Sequence, residues 1–140
     1  MENVLELYLM LYRIEQKIRK EVVSIIKSSH FDLTFDQWLI LRIIVEQKNG
    51  ILPSNLATFT SKDKGAIHRI CKKLKLNNFI ETKKSNDNLL HVLYVPTKMG
   101  KECVQSLSSS IESYNSDFNK EYFDREYNAL INLIERILPK

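Results

Sequence analysis

Apolar residues recur at helical spacing along most of the chain and predict a mainly α-helical fold. The first stripe runs from Val4 to about Ser28, and the last runs from about Lys120 to Leu138. Both stripes are long for a chain of 140 residues, so these two helices have apolar surface to share with a partner.

Polar and turn-forming residues mark where the inner helices begin and end. Thr34 and Gln37 have the spacing of a capping box and predict a helix start. The Asn49-Gly50 pair predicts the end of that helix. Pro53 suits the first turn of a short helix that ends near Thr60.

A helix over about residues 63–77 follows, and its apolar positions Ile67, Ile70, Cys71 and Leu74 form one stripe that must face the core. After Asn78, the runs 79–84 and 89–95 predict two strands around a polar turn. The predicted fold is therefore a helix-turn-helix with a small β-hairpin wing, and Thr97 begins the next helix.

Positive charge is concentrated in this part of the chain. Residues 62–84 contain eight basic and two acidic residues, a net charge of +6, whereas the rest of the chain carries −2 of the total +4. Small residues near the start of the basic helix and cations further along are typical of a helix that enters a DNA major groove. The predicted DNA-binding residues are Lys62, Lys64, Gly65, Ala66, His68, Arg69, Lys72, Lys73, Lys83 and Lys84. On charge alone, a solvated basic surface is the alternative.

Composition and motifs exclude several other classes of protein. No apolar run approaches the roughly 18 residues of a membrane span, and no signal peptide is recognisable, so we expect a cytoplasmic protein. Cys71 and Cys103 lack disulfide-framework or zinc-site spacing, and the three histidines lack metal-ligand spacing. No catalytic motif is present, so we expect no enzymatic activity, no cofactor and no metal.

With these residues identified, the chain resembles the MarR family of winged-helix transcription regulators along essentially its whole length. The resemblance is carried by Leu33-Thr34…Gln37…Leu41, by Leu56-Ala57, by residues 63–81 and by Thr97-Lys98-Met99-Gly100. It implies one domain over residues 1–140, with a winged helix-turn-helix at 33–100 and a connecting helix at 97–118.

The resemblance also implies a homodimer formed by residues 1–30 and 118–140. The predicted dimerisation residues are Leu7, Leu11, Ile14, Ile18, Tyr127, Leu130, Ile131, Ile134 and Ile137. Such a dimer would bind a pseudo-palindromic operator in double-stranded DNA, usually as a repressor, and a small-molecule effector or an oxidant often weakens binding. The alternative is a dimer that acts mainly through a protein partner, as an anti-repressor.

The wing departs from the family pattern. Where the family usually has an Asp-x-Arg or Asp-Arg-Arg signature, this chain has Asn88, Leu89 and Leu90. The family arginine enters the minor groove, and only Lys83, Lys84 and His91 are placed to replace it.

Two smaller questions concern ligands and oxidants. Tyr8, Tyr12, Trp38 and Arg42 lie on helices that border the ligand cleft of the family, but aromatic residues at helical spacing usually pack in a core. We favour packing, with an effector pocket as the alternative. Both cysteines lie on apolar stripes, so we expect no thiol-based oxidant sensing.

Overall fold

The computed structural model describes residues 3–87, 90–122 and 124–138, and the side chains of these residues outside 115–125. Its elements are α1 (Val4–Ser28), α2 (Phe35–Glu46), α3 (Pro53–Thr60), α4 (Lys64–Leu76), β1 (Ile80–Lys84), β2 (Val92–Pro96), α5 (Lys98–Tyr122) and α6 (Asp124–Ile137). The predicted fold class, mainly helical with a β-hairpin wing, is confirmed. Asn88 and Leu89 lie outside the described residues.

Side-chain caps explain where the helices begin. The predicted capping box of α2 is present, since the Gln37 N–H donates to Thr34 Oγ1 at 3.1 Å and the Thr34 N–H donates to Gln37 Oε1 at 3.0 Å. Asp63 caps α4 by accepting from the Ala66 N–H at 2.7 Å. Asn78, with φ 62°, takes the left-handed conformation expected after α4.

The helix α2 ends at Glu46, earlier than the Asn49-Gly50 pair that was predicted to stop it. The chain must already be extended at Ile51, because Ile51 exchanges two backbone hydrogen bonds with Tyr94 of β2, at 2.9 and 3.0 Å. A long-range contact therefore holds the chain in an extended conformation soon after α2 ends.

The wing is an antiparallel hairpin in which Ile80 pairs with Pro96 and Lys84 pairs with Val92. The second strand begins at Val92, three residues later than the sequence predicted. The base of the hairpin is tied to α5 by Thr97, whose hydroxyl donates to the Asn78 carbonyl oxygen at 2.7 Å and accepts from the Gly100 N–H at 3.0 Å.

The chain divides into two compact units, residues 1–107 and 108–140. The first contains the hydrophobic core, which takes buried side chains from α1, α2, α3, α4, β1 and the first part of α5. Its most buried members are Ile40, Leu41, Ile44, Leu56, Ile67, Leu74, Ile80, Leu107, Cys71 and Cys103.

The second unit contains the remainder of α5 and α6. The helix α5 runs to Tyr122, so the predicted boundary at residue 118 between the connecting and last helices falls inside it. In α6, Ile131 and Ile134 are half-buried within the unit.

Candidate nucleic-acid interface

The helix α4, which the sequence predicts to enter a DNA major groove and which is called here the recognition helix, has one buried and one exposed face. Ile67, Cys71 and Leu74 are buried, and Ile70 is half-buried. On the other face, six of the predicted DNA-binding residues are exposed: Lys64, Gly65, His68, Arg69, Lys72 and Lys73. Because the apolar stripe anchors α4 in the core, the helix cannot rotate and its cations stay directed outward.

The N-terminal end of α4 offers little steric hindrance. Gly65 is exposed and Ala66 is half-buried. The nearest atoms to a Cβ added at Gly65 would be Asp63 Oδ1 at 3.2 Å and Arg69 Nη1 at 3.4 Å, both within α4 and its cap. A flat surface such as a base-pair edge therefore has access to the first turn of the helix, with the Arg69 guanidinium beside it.

Lys62 is placed differently from the other predicted DNA-binding residues. It is half-buried, and its Nζ lies 3.3 Å from Asp36 Oδ1 at the start of α2. The same carboxylate oxygen lies 3.8 Å from Arg19 Nη1 of α1. Lys62 therefore joins the turn before α4 to α2, and its charge is partly neutralised within the protein.

Lys83 and Lys84 extend the basic surface onto the wing, where both are exposed on β1. The wing is linked to the recognition helix by Lys75, whose Nζ donates to Thr82 Oγ1 at 3.2 Å. At the tip, Leu90 is 89% exposed. The exposed basic residues of α4 and β1 thus belong to one surface built on a single core.

The four residues considered for an effector pocket differ in environment. Tyr8 and Tyr12 are exposed and stack with ring centroids 6.3 Å apart. Trp38 is 4% exposed, and its Nε1 has no hydrogen-bond partner among the described residues. Arg42 is paired with Glu46 at 3.0 Å, and its Cζ lies 5.9 Å from the Trp38 ring centroid. Two clefts in the described part of the chain lie beside the wing, and neither is lined by these four residues.

The cysteines lie within the core of the first unit. Burial raises the pKa of Cys71 to about 12, although a hydrogen bond with the Tyr94 side chain lowers it in part. Burial also raises the pKa of Cys103 to about 11. Both groups are therefore thiols at neutral pH, and a thiol reacts with oxidants far more slowly than a thiolate.

The predicted dimerisation residues lie on faces that each unit leaves partly uncovered. On α1, Leu11, Ile14 and Ile18 are exposed and Leu7 is half-buried. On α6, Tyr127, Leu130 and Ile137 are exposed. Leu133 is also exposed on α6 and is not among the predicted residues, although its position three residues after Leu130 is the spacing of one helix face.

The described residues show neither a metal-ligand cluster nor a membrane-spanning helix. No group of three or more His, Cys, Asp or Glu among them is placed to hold a metal ion. Within the same residues, no helix is long and apolar enough to cross a membrane.

Residues 34–114, which contain the helix-turn-helix and the wing, match the family described as the B-block binding subunit of TFIIIC. The chain belongs to this family. The part of the chain that matches the family therefore contains the helix-turn-helix and the hairpin. No curated protein sequence matches the chain.

Solved structures of transcription regulators have the same fold. A putative MarR family transcriptional regulator from Listeria monocytogenes complexed with 26mer DNA is 22% identical, covers 98% of this chain and 87% of that chain, and has a TM-score of 0.82. FabT from Streptococcus pneumoniae, in complex with DNA, is 14% identical over 96% of this chain and 94% of that chain, with a TM-score of 0.75. CouR from Rhodococcus jostii RHA1, bound to p-coumaroyl-CoA, is 14% identical over 94% of this chain and 91% of that chain, with a TM-score of 0.80. The resemblance to MarR regulators expected from the sequence is confirmed in the fold.

Proposed function

We propose that this protein is a sequence-specific regulator of transcription that binds double-stranded DNA through α4 and the wing. The single observation that carries the proposal is the two-faced recognition helix. Its apolar side is buried in the core, and its outer side presents exposed cations behind an uncrowded first turn. This arrangement fits base contacts from the start of α4 and phosphate contacts from its lysines and the wing.

Within this surface, Arg69 is the proposed base-reading residue. Its guanidinium lies beside Gly65, in the part of the helix that has the most open approach. Arginine binds the O6 and N7 atoms of guanine through two parallel hydrogen bonds. Lys72 and Lys73, further along the helix, are proposed phosphate contacts.

The proposal includes a homodimer formed by α1 and α6. The exposed apolar side chains of α1 form a face that is costly to leave in water, because burial of apolar surface stabilises by about 25 cal/mol per Å². A second copy would cover it with an equal apolar face. The two recognition helices would then read half-sites about 34 Å apart, in an operator with two-fold symmetry.

Selection of bound sequences from random duplex DNA tests the function. We expect a pseudo-palindromic sequence to be enriched. On that operator, Arg69→Ala should cost about 1 to 3 kcal/mol of binding free energy and relax the preference at one base pair per half-site. Equal losses on operator and scrambled duplex would reduce Arg69 to a phosphate contact.

The proposal would be refuted if no sequence is enriched and the protein shows no DNA binding that weakens as the salt concentration rises. That result would favour the anti-repressor alternative, in which a protein partner is held by apolar side chains.

Sedimentation tests the dimer separately, and a stable folded monomer at micromolar concentration would contradict it. The Leu11→Glu variant should weaken association, because it places a charge on the α1 face.

Repression and control by an effector complete the proposal. A regulator bound over a promoter would block transcription, and a ligand that prefers the unbound conformation would release it. The buried Trp38 indole N–H, which has no hydrogen-bond partner among the described residues, would donate to such a ligand if the site opened. A screen for compounds that raise both the melting temperature and the DNA dissociation constant tests this part.

A further inference from the structure

The wing presents different side chains on its two faces. Thr82 pairs with Tyr94 and Lys83 pairs with Leu93, and side chains alternate between the faces along each strand. The face of Thr82 and Tyr94 lies against α4. Lys75 of α4 donates to Thr82 Oγ1 at 3.2 Å, and the Cys71 side chain of α4 hydrogen-bonds with the Tyr94 side chain. Lys83 and Leu93 therefore lie on the face turned away from the recognition helix.

The loop between α2 and α3 packs on that far face. Ile51 is fixed to β2 by its two backbone hydrogen bonds with Tyr94. Gly50, at φ 85°, approaches the strand so closely that an added Cβ would lie 3.1 Å from Leu93 Cβ. Lys48, two residues earlier in the chain, is thereby held beside the wing.

Between this loop and the wing lies a cleft of about 360 Å³, called here the wing cleft. Three lysines line it, Lys48, Lys83 and Lys84, against one carboxylate, that of Asp87, and the other lining residues are uncharged. The lining therefore has a net charge of +2 from three cations and one anion. An anion would be attracted to it.

We propose that the wing cleft binds a phosphate of the DNA backbone, with Lys48 and Lys83 as its charged contacts. This inference rests on the DNA binding proposed above. A hairpin that enters a minor groove about 6 Å wide has a phosphate-bearing strand on each side. The lysines of α4 serve one side of the wing, and Lys48 with Lys83 serves the other.

The openness of the cleft favours a backbone phosphate over a free one. All three lysines that line it are exposed, so their charges lie at the protein surface where a duplex passes. A site built for free phosphate would surround the anion with buried donors. Lys48 was not predicted from the sequence, because it lies outside the basic residues 62–84 and only folding brings it to the wing.

The salt dependence of binding to a duplex of scrambled sequence tests the wing cleft. The logarithm of the binding constant falls with the logarithm of salt concentration, by about 0.9 for each phosphate neutralised. Lys48→Ala should reduce this slope by about one per protomer, hence about two in a symmetric dimer, and should weaken operator and scrambled duplex equally. Lys27→Ala, which removes an exposed lysine from the last turn of α1, is the matched control and should leave the slope unchanged.

The outcomes separate the two proposals. A wild-type protein that binds neither duplex refutes DNA binding itself. If the wild-type protein binds with a clear salt slope and Lys48→Ala leaves that slope unchanged, only the proposal for the wing cleft is overturned.

A second measurement distinguishes the source of the phosphate. The backbone amide NMR signals of Lys48 and Asn49 should shift in a saturable way with the scrambled duplex, and not with inorganic phosphate at the same phosphate concentration. Equal affinity for inorganic phosphate would assign the wing cleft to a free anion and overturn its assignment to DNA.

Discussion

Gly100 lies in the first turn of α5, where a side chain has no room. The Cβ of an alanine would overlap the carbonyl oxygen of Phe79 and would lie 3.3 Å from Leu41 Cδ1. That carbonyl accepts a hydrogen bond from the Thr97 N–H at 3.0 Å and shares the single Thr97 hydroxyl hydrogen, at 3.1 Å, with the Asn78 carbonyl. Because these bonds hold it in place, Gly100→Ala must push α5 away from the base of the wing.

The expected loss of stability is the balance of three contributions. Overpacking a filled site costs about 1 to 3 kcal/mol. Weakening the hydrogen bonds to the Phe79 carbonyl costs about 1 kcal/mol more. Alanine has a higher helix propensity than glycine, by about 1 kcal/mol, and this gain offsets part of the cost. We therefore expect Gly100→Ala to lower the free energy of unfolding by about 1 to 3 kcal/mol.

Urea unfolding at a fixed protein concentration measures this loss, which should lower the midpoint without changing the m-value. The concentration is fixed because association with a partner copy would change the apparent stability. The matched control is Gly65→Ala, at an exposed helical glycine, which should stay within about 1 kcal/mol of the wild type. A Gly100→Ala protein as stable as the Gly65→Ala protein would refute the reasoning.

Four further predictions concern individual side chains. Asn78→Ala should lower the free energy of unfolding by about 1 kcal/mol, because φ is 62°, whereas Asn78→Gly should not; equal unfolding midpoints for the two variants would contradict this. Because burial raises the pKa of both cysteines, peroxide should leave DNA titrations unchanged, and a loss of binding that Cys71→Ala or Cys103→Ala abolishes would overturn this. The raised pKa of Cys71 also predicts that stability falls as pH rises above the ordinary value of 9.0, by up to about 1.4 kcal/mol per pH unit, with a flatter profile for Cys71→Ala. Asp63→Ala, which removes the cap of α4, should cost about 1 kcal/mol in the same urea assay, and Asp63→Asn should retain most of the stability.

Local sequence patterns were enough to predict where the helices lie and which face of α4 is buried. The capping box at Thr34 and the left-handed turn at Asn78 depend on contacts within a few residues, which a sequence pattern contains in full. The stripe from Ile67 to Leu74 required a buried side, because apolar residues at helical spacing are costly to expose. The cations opposite that stripe had to lie outside.

Features that depend on contacts between distant parts of the chain could not be predicted from local patterns and became known from the folded protein. The pairing of Ile51 with Tyr94 holds the segment after α2 against β2 and brings Lys48 to the wing. Likewise, the position of Asp36 turned Lys62 from a free surface cation into half of an ion pair. Periodicity records which side of an element is buried and not what packs against it, so these placements had to come from the folded chain.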